Sequence, residues 1–325
     1  MASTPTAALP RTRVLRIVAS RAFIAVLAIA LLVTVFAVLL PETFLTVTNM
    51  KSILQQQAVL IILAIGVTFV LVIGEFDLSF SFTIGLASAT AVLAMTVLGA
   101  PPLLAALLAL LVGGVVGAVN GVAVAWGRAP AFIATLAIGS AAAGLEQLLT
   151  TNKTIATGIP LDYLLFTLQD VGGLPLSLWL TILLVAVAIV VFRFTTYGRR
   201  LRATGMNPSA VAISGTSVPL VRFSAFVIMG VLAGLSAVMV SSLGGSYFPN
   251  SGGGLLLPPY SAVFLGAAIL GRGRFSPLAT LYGVVFIALL ERGLTMLNYT
   301  AAVIMLIEGA VLAAAVLLAQ HEKKR

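Results

Sequence analysis

The residues able to do chemistry in this chain are few. Its 325 residues include nine carboxylates, one histidine and no cysteine. Without cysteine there is no disulfide framework, thiol nucleophile or Cys/His metal site, and His321 stands by itself near the end of the chain. No G-x-x-x-x-G-K-[ST] loop is present to cradle a nucleotide's phosphates, and neither G-x-S-x-G nor H-E-x-x-H occurs. A membrane aspartyl protease needs two facing aspartates within spans, but Asp162 and Asp170 fall in a connecting loop and leave Asp77 alone. The expectation is a chain that is not an enzyme on its own and binds neither metal nor cofactor.

The same polar residues are informative for the opposite reason, because they sit in an apolar chain. Hydrophobic residues make up 61% of the sequence, about 198 residues, and charged residues 8%. Soluble domains carry about 25% charge, and a bilayer span needs about 20 apolar residues. Ten apolar segments follow, at 22–40, 52–73, 79–99, 102–126, 131–150, 176–197, 220–243, 257–271, 277–297 and 300–320. The predicted fold is an all-α polytopic membrane protein of about ten transmembrane helices. It divides into a basic N-terminal segment at 1–21, one transmembrane domain at 22–320 and a basic tail at 321–325. The first segment follows Arg11, Arg13, Arg16 and Arg21 as a signal peptide would. Its apolar stretch is too long for a cleaved signal, and it reads as a retained span.

Charge sets the orientation. With the N-terminus inside and ten alternating spans, fifteen of the 18 Lys and Arg fall on the inner side, leaving Lys51, Lys153 and Arg292 outside. That is a positive-inside pattern, so the net charge of +9 serves orientation at a lipid bilayer rather than nucleic-acid binding. Both termini are expected in the cytoplasm.

Carboxylates within spans are costly and normally face protein or water. Glu308, deep in the last span, can line a pathway or make a helix–helix contact, whereas Glu146 and Glu291 lie near outer ends and read as facing headgroups. Asn120 is a further polar residue within a span. Gly113, Gly117 and Gly121, like Gly230 and Gly234, recur every four residues, a spacing that lets two helices pack closely. Aligning Gly74 with Gly271 superposes Ser79 on Ser276 and Thr83 on Thr280. It also sets Glu75 and Asp77 against Arg272 and Arg274. Matched breaks of this kind point to a transporter's pathway. These opposite charges either pair near an inner gate or simply face cytoplasmic water.

Between the sixth and seventh segments, Asn207 is a good N-cap, Pro208 suits the first helical position, and Gly215 suits a C-terminal cap. They delimit a helix at 208–214 carrying Val211 and Ile213, too short to be stable without a support or a partner. A basic loop resting on anionic lipid would account for the arginines but not for a capped helix.

Ala203-x-Gly205-x-Asn207 with Ala210 and Ser214-Gly215 resembles the coupling segment of permease subunits of bacterial ABC importers, in the ribose/xylose/autoinducer branch. Gly74-Glu75-Phe76-Asp77-Leu78-Ser79 is similar to that branch's Gly-Gly-Ile-Asp-Leu-Ser motif. Asn120-Gly121 and Pro130-Ala131-Phe132-Ile133-Ala134-Thr135-Leu136 resemble its next two motifs. The likeness runs from about residue 50 onward. Glu75 departs from it where glycine is common, Glu291-Arg292-Gly293 where an Asn-Gly-like pair is, and Glu308 where a basic or amide residue is usual. The resemblance implies a permease of the bacterial cytoplasmic membrane that imports a small polar solute, a sugar or polyol. It also implies a second permease copy or paralogue, an external substrate-binding protein, and a separate ATPase subunit that binds the ATP and Mg. Arg202, Gly205, Asn207, Pro208, Ala210, Val211, Ile213 and Gly215 would couple to the ATPase. An ATPase-independent transporter or channel using Glu308, and a branched-chain amino-acid ABC permease, remain open alternatives. The loops at 151–175 and 244–258 are expected outside, as polar docking ground.

Overall fold

The computed structural model describes residues 21–323, so most of the basic N-terminal segment and residues 324–325 lie outside the described residues. Thirteen α-helices follow in order among them: α1 (Arg21–Leu39), α2 (Val47–Val72), α3 (Ser79–Thr96), α4 (Pro102–Ala125), α5 (Ala131–Thr150), α6 (Leu161–Phe166), α7 (Leu176–Phe194), α8 (Thr196–Met206), α9 (Pro208–Ile213), α10 (Val218–Leu243), α11 (Leu257–Ile269), α12 (Pro277–Met296) and α13 (Ala301–Lys323). A two-residue hairpin, β1 (Asp170–Val171) with β2 (Leu174–Pro175), interrupts the connection before α7.

Local chemistry accounts for the boundaries. Thr46 accepts from the Asn49 amide at 3.2 Å to start α2, and Ser276 accepts from Ala279 at 3.3 Å to start α12. At the other end of α2, Gly74 (φ +84°) donates to Leu71 O and Glu75 donates to Val70 O, a glycine-closed terminus that satisfies the last carbonyls.

Eight described helices are long and apolar enough to cross a membrane. α1 is an apolar helix of 19 residues, and among the described residues the predicted segment that falls short is the eighth, at 257–271. The latter contains α11, 13 residues long, or about 20 Å against a hydrocarbon core of about 30 Å. α2 and α3 form the buried centre, while α4, α5 and α13 lie at the periphery.

α4 and α10 run antiparallel with almost no side chain between them. A Cβ on Gly113 would collide with Gly230 O, one on Gly117 with Phe226 O, one on Gly121 with the Phe223 ring, and one on Gly234 with Ala109 O. All five predicted glycines lie in this seam, where close backbone approach maximises dispersion contact. α11 and α12 make a second seam, with Gly266 against Ala279 O and Gly283 against Ala262 O. Both contacts give one register, which places Leu257 opposite Ala288, near the middle of α12. α11 therefore starts half-way through the bundle. The segment before it cannot remain at the far end as an external loop, as 244–258 had been expected to do.

The bundle's two ends differ in charge. The turns at 127–130 and 270–276 and the connection 195–217 carry the exposed Arg128, Arg199, Arg200, Arg202, Arg272 and Arg274; we call this the basic end.

Replacing Gly230 by Leu is expected to lower the thermal midpoint of the purified protein by several degrees, in line with the roughly 1–3 kcal/mol cost of overpacking. Gly144→Ala, where nothing lies within 4 Å of the added Cβ, should leave it unchanged in the same thermal-shift measurement.

Candidate functional site

The basic end is built in two layers. The outer layer is a helical elbow, of which only the second arm had been expected. The residues preceding Asn207 form α8, whose Leu201 and Thr204 are buried while its arginines face outward. One apolar turn set among five polar positions hid this helix from hydropathy. Asn207 ends α8 and caps α9, its Oδ1 accepting from the Ala210 amide at 3.0 Å. α9 is one residue shorter than expected. It closes on Gly215 (φ +80°), with Gly215 N donating to Ala212 O and Thr216 N to Val211 O.

The elbow sits beneath α2. The Cβ position of Gly205 is filled by the carbonyl of Val72, so the elbow meets α2 at this glycine. Val211 is buried in the elbow, whereas Ile213 is 88% exposed and Met206 is exposed as well. Pro208, Ala210 and Arg202 are also exposed.

The inner layer is the link between α2 and α3. Asp77 Oδ1 accepts from the Ser79 amide (2.7 Å) and the Ser79 hydroxyl (2.6 Å), capping the start of α3. Asn120 Nδ2 of α4 donates to Ser79 Oγ at 2.6 Å. Thr135 Oγ1 of α5 accepts from the Leu78 amide at 3.1 Å. Tyr260 of α11 donates its hydroxyl to Asp77 O (2.6 Å) and accepts from Asp77 N (3.1 Å). Four helices thus meet on one buried polar knot. It contains three residues assigned to a pathway or gate, Asp77, Ser79 and Asn120, and they are wholly enclosed by protein. Tyr260 had not been singled out, since one tyrosine in an apolar stretch carries no signal. Burial pushes the Asp77 carboxyl up to about 6 against the pull of its bonds to Ser79, and its Oδ2 has no partner.

The matched breaks do not pair their charges. Glu75 Oε1 bonds Arg222 Nη2 of α10 at 3.3 Å, while Arg272 and Arg274 are exposed. The reason is steric. Phe76 stacks on Tyr260 and Phe264 with centroids 5.9 and 6.4 Å apart, and Phe264 meets Phe275 edge-on at 5.3 Å. Rings fill the space between the breaks; Arg272 and Arg274 face outward, Glu75 turns to Arg222, and Asp77 stays in the knot. Glu75, Arg222, Arg128 and the α9 residues Pro208, Ser209 and Ala212 instead line a cavity of about 700 Å³ at the basic end.

One carboxylate differs from its expected setting. Glu146, expected to face headgroups, is 4% exposed and bonded within the bundle. Glu308 is buried with Glu291 as its charged neighbour, and Gln57 Nε2 donates to Glu291 at 3.4 Å.

The family model described as branched-chain amino acid transport system / permease component matches residues 49–316. The chain is 31% identical over 304 residues to the ribose import permease protein of Haemophilus influenzae, covering 93% of each chain. Identity is 33% over 294 residues to the ribose import permease protein of Bacillus subtilis, covering 90% of each. It is 31% over 283 residues to the autoinducer 2 import system permease protein of Yersinia pseudotuberculosis, covering 84% of this chain and 78% of that one. No solved structure matches.

A carboxyl raised by burial favours folding below its ordinary value near 3.8 and loses that contribution as pH rises through about 6. The parent's thermal midpoint should therefore fall between pH 5 and pH 7.5 by more than that of Asp77→Asn, which keeps an acceptor for Ser79 but cannot ionise. Parallel melting curves across that range check the difference.

Proposed function

Because this chain belongs to the branched-chain amino acid transport system / permease component family, we propose that it is the membrane subunit of an ATP-driven importer that brings a sugar or sugar-like polyol into the cytoplasm. The permease role follows from the family, and the absence of catalytic machinery in the sequence agrees with it: hydrolysis belongs to a separate ATPase subunit, which binds the ATP and Mg. The family description names branched-chain amino acids. The relatives matching along most of the chain are named for ribose, D-allose and autoinducer 2, and they favour the polyhydroxylated solute.

One structural observation carries the coupling. A capped six-residue helix, α9, is held against α8 and α10, with α8 lying under the buried α2, and it displays an unprotected isoleucine. α9 is too short to persist on its own, and α8, Val211 and the Gly205–Val72 contact make it rigid. Ile213 and Met206 then give an ATPase subunit two apolar anchors, and an anchor of that kind dominates binding energy when a partner's pocket encloses it. Motion of the elbow reaches α2 directly and reaches α10 through Glu75 and Arg222.

This reading places the basic end and both termini in the cytoplasm, in agreement with the exposed arginines there. The whole of 22–320 acts as one transmembrane domain flanked by the basic segments 1–21 and 321–325. The 700 Å³ cavity becomes the inner vestibule. A second copy or paralogue completes the path. A binding protein docks on the far end, where α6 is fastened to α10 by Tyr163 to Ser241 (2.7 Å) and Thr167 to Ser242 (2.8 Å).

Ile213→Asp should cut uptake and solute-stimulated ATP hydrolysis in proteoliposomes by about tenfold or more, the scale of losing a central anchor, while the permease's own thermal midpoint stays put. Glu308→Gln should leave ATP-driven uptake within about twofold, because a neutral side chain of the same shape satisfies a packing role. Uptake at full rate with no ATPase subunit present would overturn this reading in favour of a Glu308-coupled transporter.

A further inference from the structure

The connection from α10 to α11 is irregular apart from one 3-10 turn at Gly253–Leu255. It begins at the far end, where Tyr247 and Ile155 exchange two backbone hydrogen bonds of 2.9 Å. It then runs inward, turns through Asn250 (φ +57°), and reaches the middle of α12 at Leu257. On the way Gly252 lies so close to α3 that a Cβ there would overlap Ser81 O. Ser251 is buried with an unpartnered hydroxyl, whereas Asn250, Gly253 and Gly254 are exposed. Non-helical backbone at membrane depth persists only where it is enclosed by protein or faces water. An exposed, polar and glycine-rich face at this level cannot face lipid.

One side chain holds this segment to the bundle. Glu146 Oε1, one turn before the end of α5, accepts from the Tyr247 hydroxyl at 2.8 Å and from the Asn250 amide at 2.9 Å. Tyr247 OH is also 3.3 Å from Thr150 Oγ1. Room for the carboxylate comes from α3, because a side chain at Gly85 would occupy its place. One oxygen that accepts both a backbone amide and a tyrosine hydroxyl fastens the segment to α5 at two points.

We propose that the exposed face of residues 250–254 lines the outer half of the solute path, offering an amide side chain and bare backbone groups to a polyhydroxylated solute, and that Glu146 is the residue positioning it. This rests on the importer reading above. Tyr260, three residues into α11, ties the same unit to the Asp77 knot. Movement of the elbow under α2 therefore has a physical route to the outer segment through α11.

The chain's lack of cysteine supplies a clean test. Gly254→Cys has open space for its side chain, and its thiol should react with a membrane-impermeant maleimide added to the external side of the assembled complex. Adding Glu146→Ala should change that labelling rate roughly tenfold, the scale of losing a bond to a charged group, and lower ribose moved per ATP hydrolysed to a similar degree. Glu146→Gln, still able to accept both bonds, should rescue labelling and coupling to within about threefold. If Glu146→Ala does not assemble, Gly85→Ala displaces the same carboxylate and Tyr247→Phe removes one donor, with the same direction of effect. A thiol at 254 that reacts only with a lipid-soluble maleimide overturns the proposal, and so does parental labelling in every Glu146, Gly85 and Tyr247 variant. The labelling outcome needs neither ATPase nor solute, so failure of the importer reading would leave it intact and distinguishable.

Discussion

A backbone that leaves the α-helix inside a bilayer must find every hydrogen-bond partner within protein or water, and most of this structure follows from that constraint. The chain breaks helix twice against its buried central helices, at the basic end between α2 and α3 and deeper in the bundle before α11. Each break is made tolerable by side chains from elsewhere. At the first, Asp77 caps α3 while Asn120, Thr135 and Tyr260 supply partners from three other helices. At the second, Glu146 performs the same service for Tyr247 and Asn250. The buried polar residues are thus a consequence of irregular backbone, and removing one partner exposes the full desolvation cost of the other.

Close helix approach is the second requirement. Hydrophobic burial gives little drive between helices already surrounded by lipid, so packing density must supply it. The α4–α10 and α11–α12 seams do this with glycines whose missing Cβ atoms let carbonyls of the facing helix touch the backbone. The same device appears at Gly205 beneath Val72, where it joins the elbow to the membrane domain. A glycine contact leaves no slack, so displacement of the elbow is displacement of α2.

The two arrangements meet at α11. It is fixed to α12 by the glycine seam, to the knot by Tyr260, and to the outer segment by chain continuity. The Phe76–Phe264–Phe275 contacts fill its flank where opposite charges might otherwise have met. With aromatic rings between the breaks, their four charged residues do not meet: Glu75 pairs with Arg222 on α10, Asp77 caps α3, and Arg272 and Arg274 are exposed.

Composition and charge alone determined that this is a helical membrane protein with a basic side, because hydropathy and Lys/Arg placement act residue by residue and need no neighbours. The capped α9 was equally legible, since Asn207, Pro208 and Gly215 act within one or two turns. So was the glycine seam, whose spacing is a property of one helix, although its partner is not. What only tertiary structure decided depends on contacts across long sequence separations. These include α11 stopping short, α8 forming on a single buried turn, Glu146 facing inward to hold a segment about a hundred residues away, and the partner chosen by each buried charge. A linear pattern records how apolar a position is. It does not record which distant backbone lacks a hydrogen-bond partner, and that deficit is what placed the polar side chains of this protein.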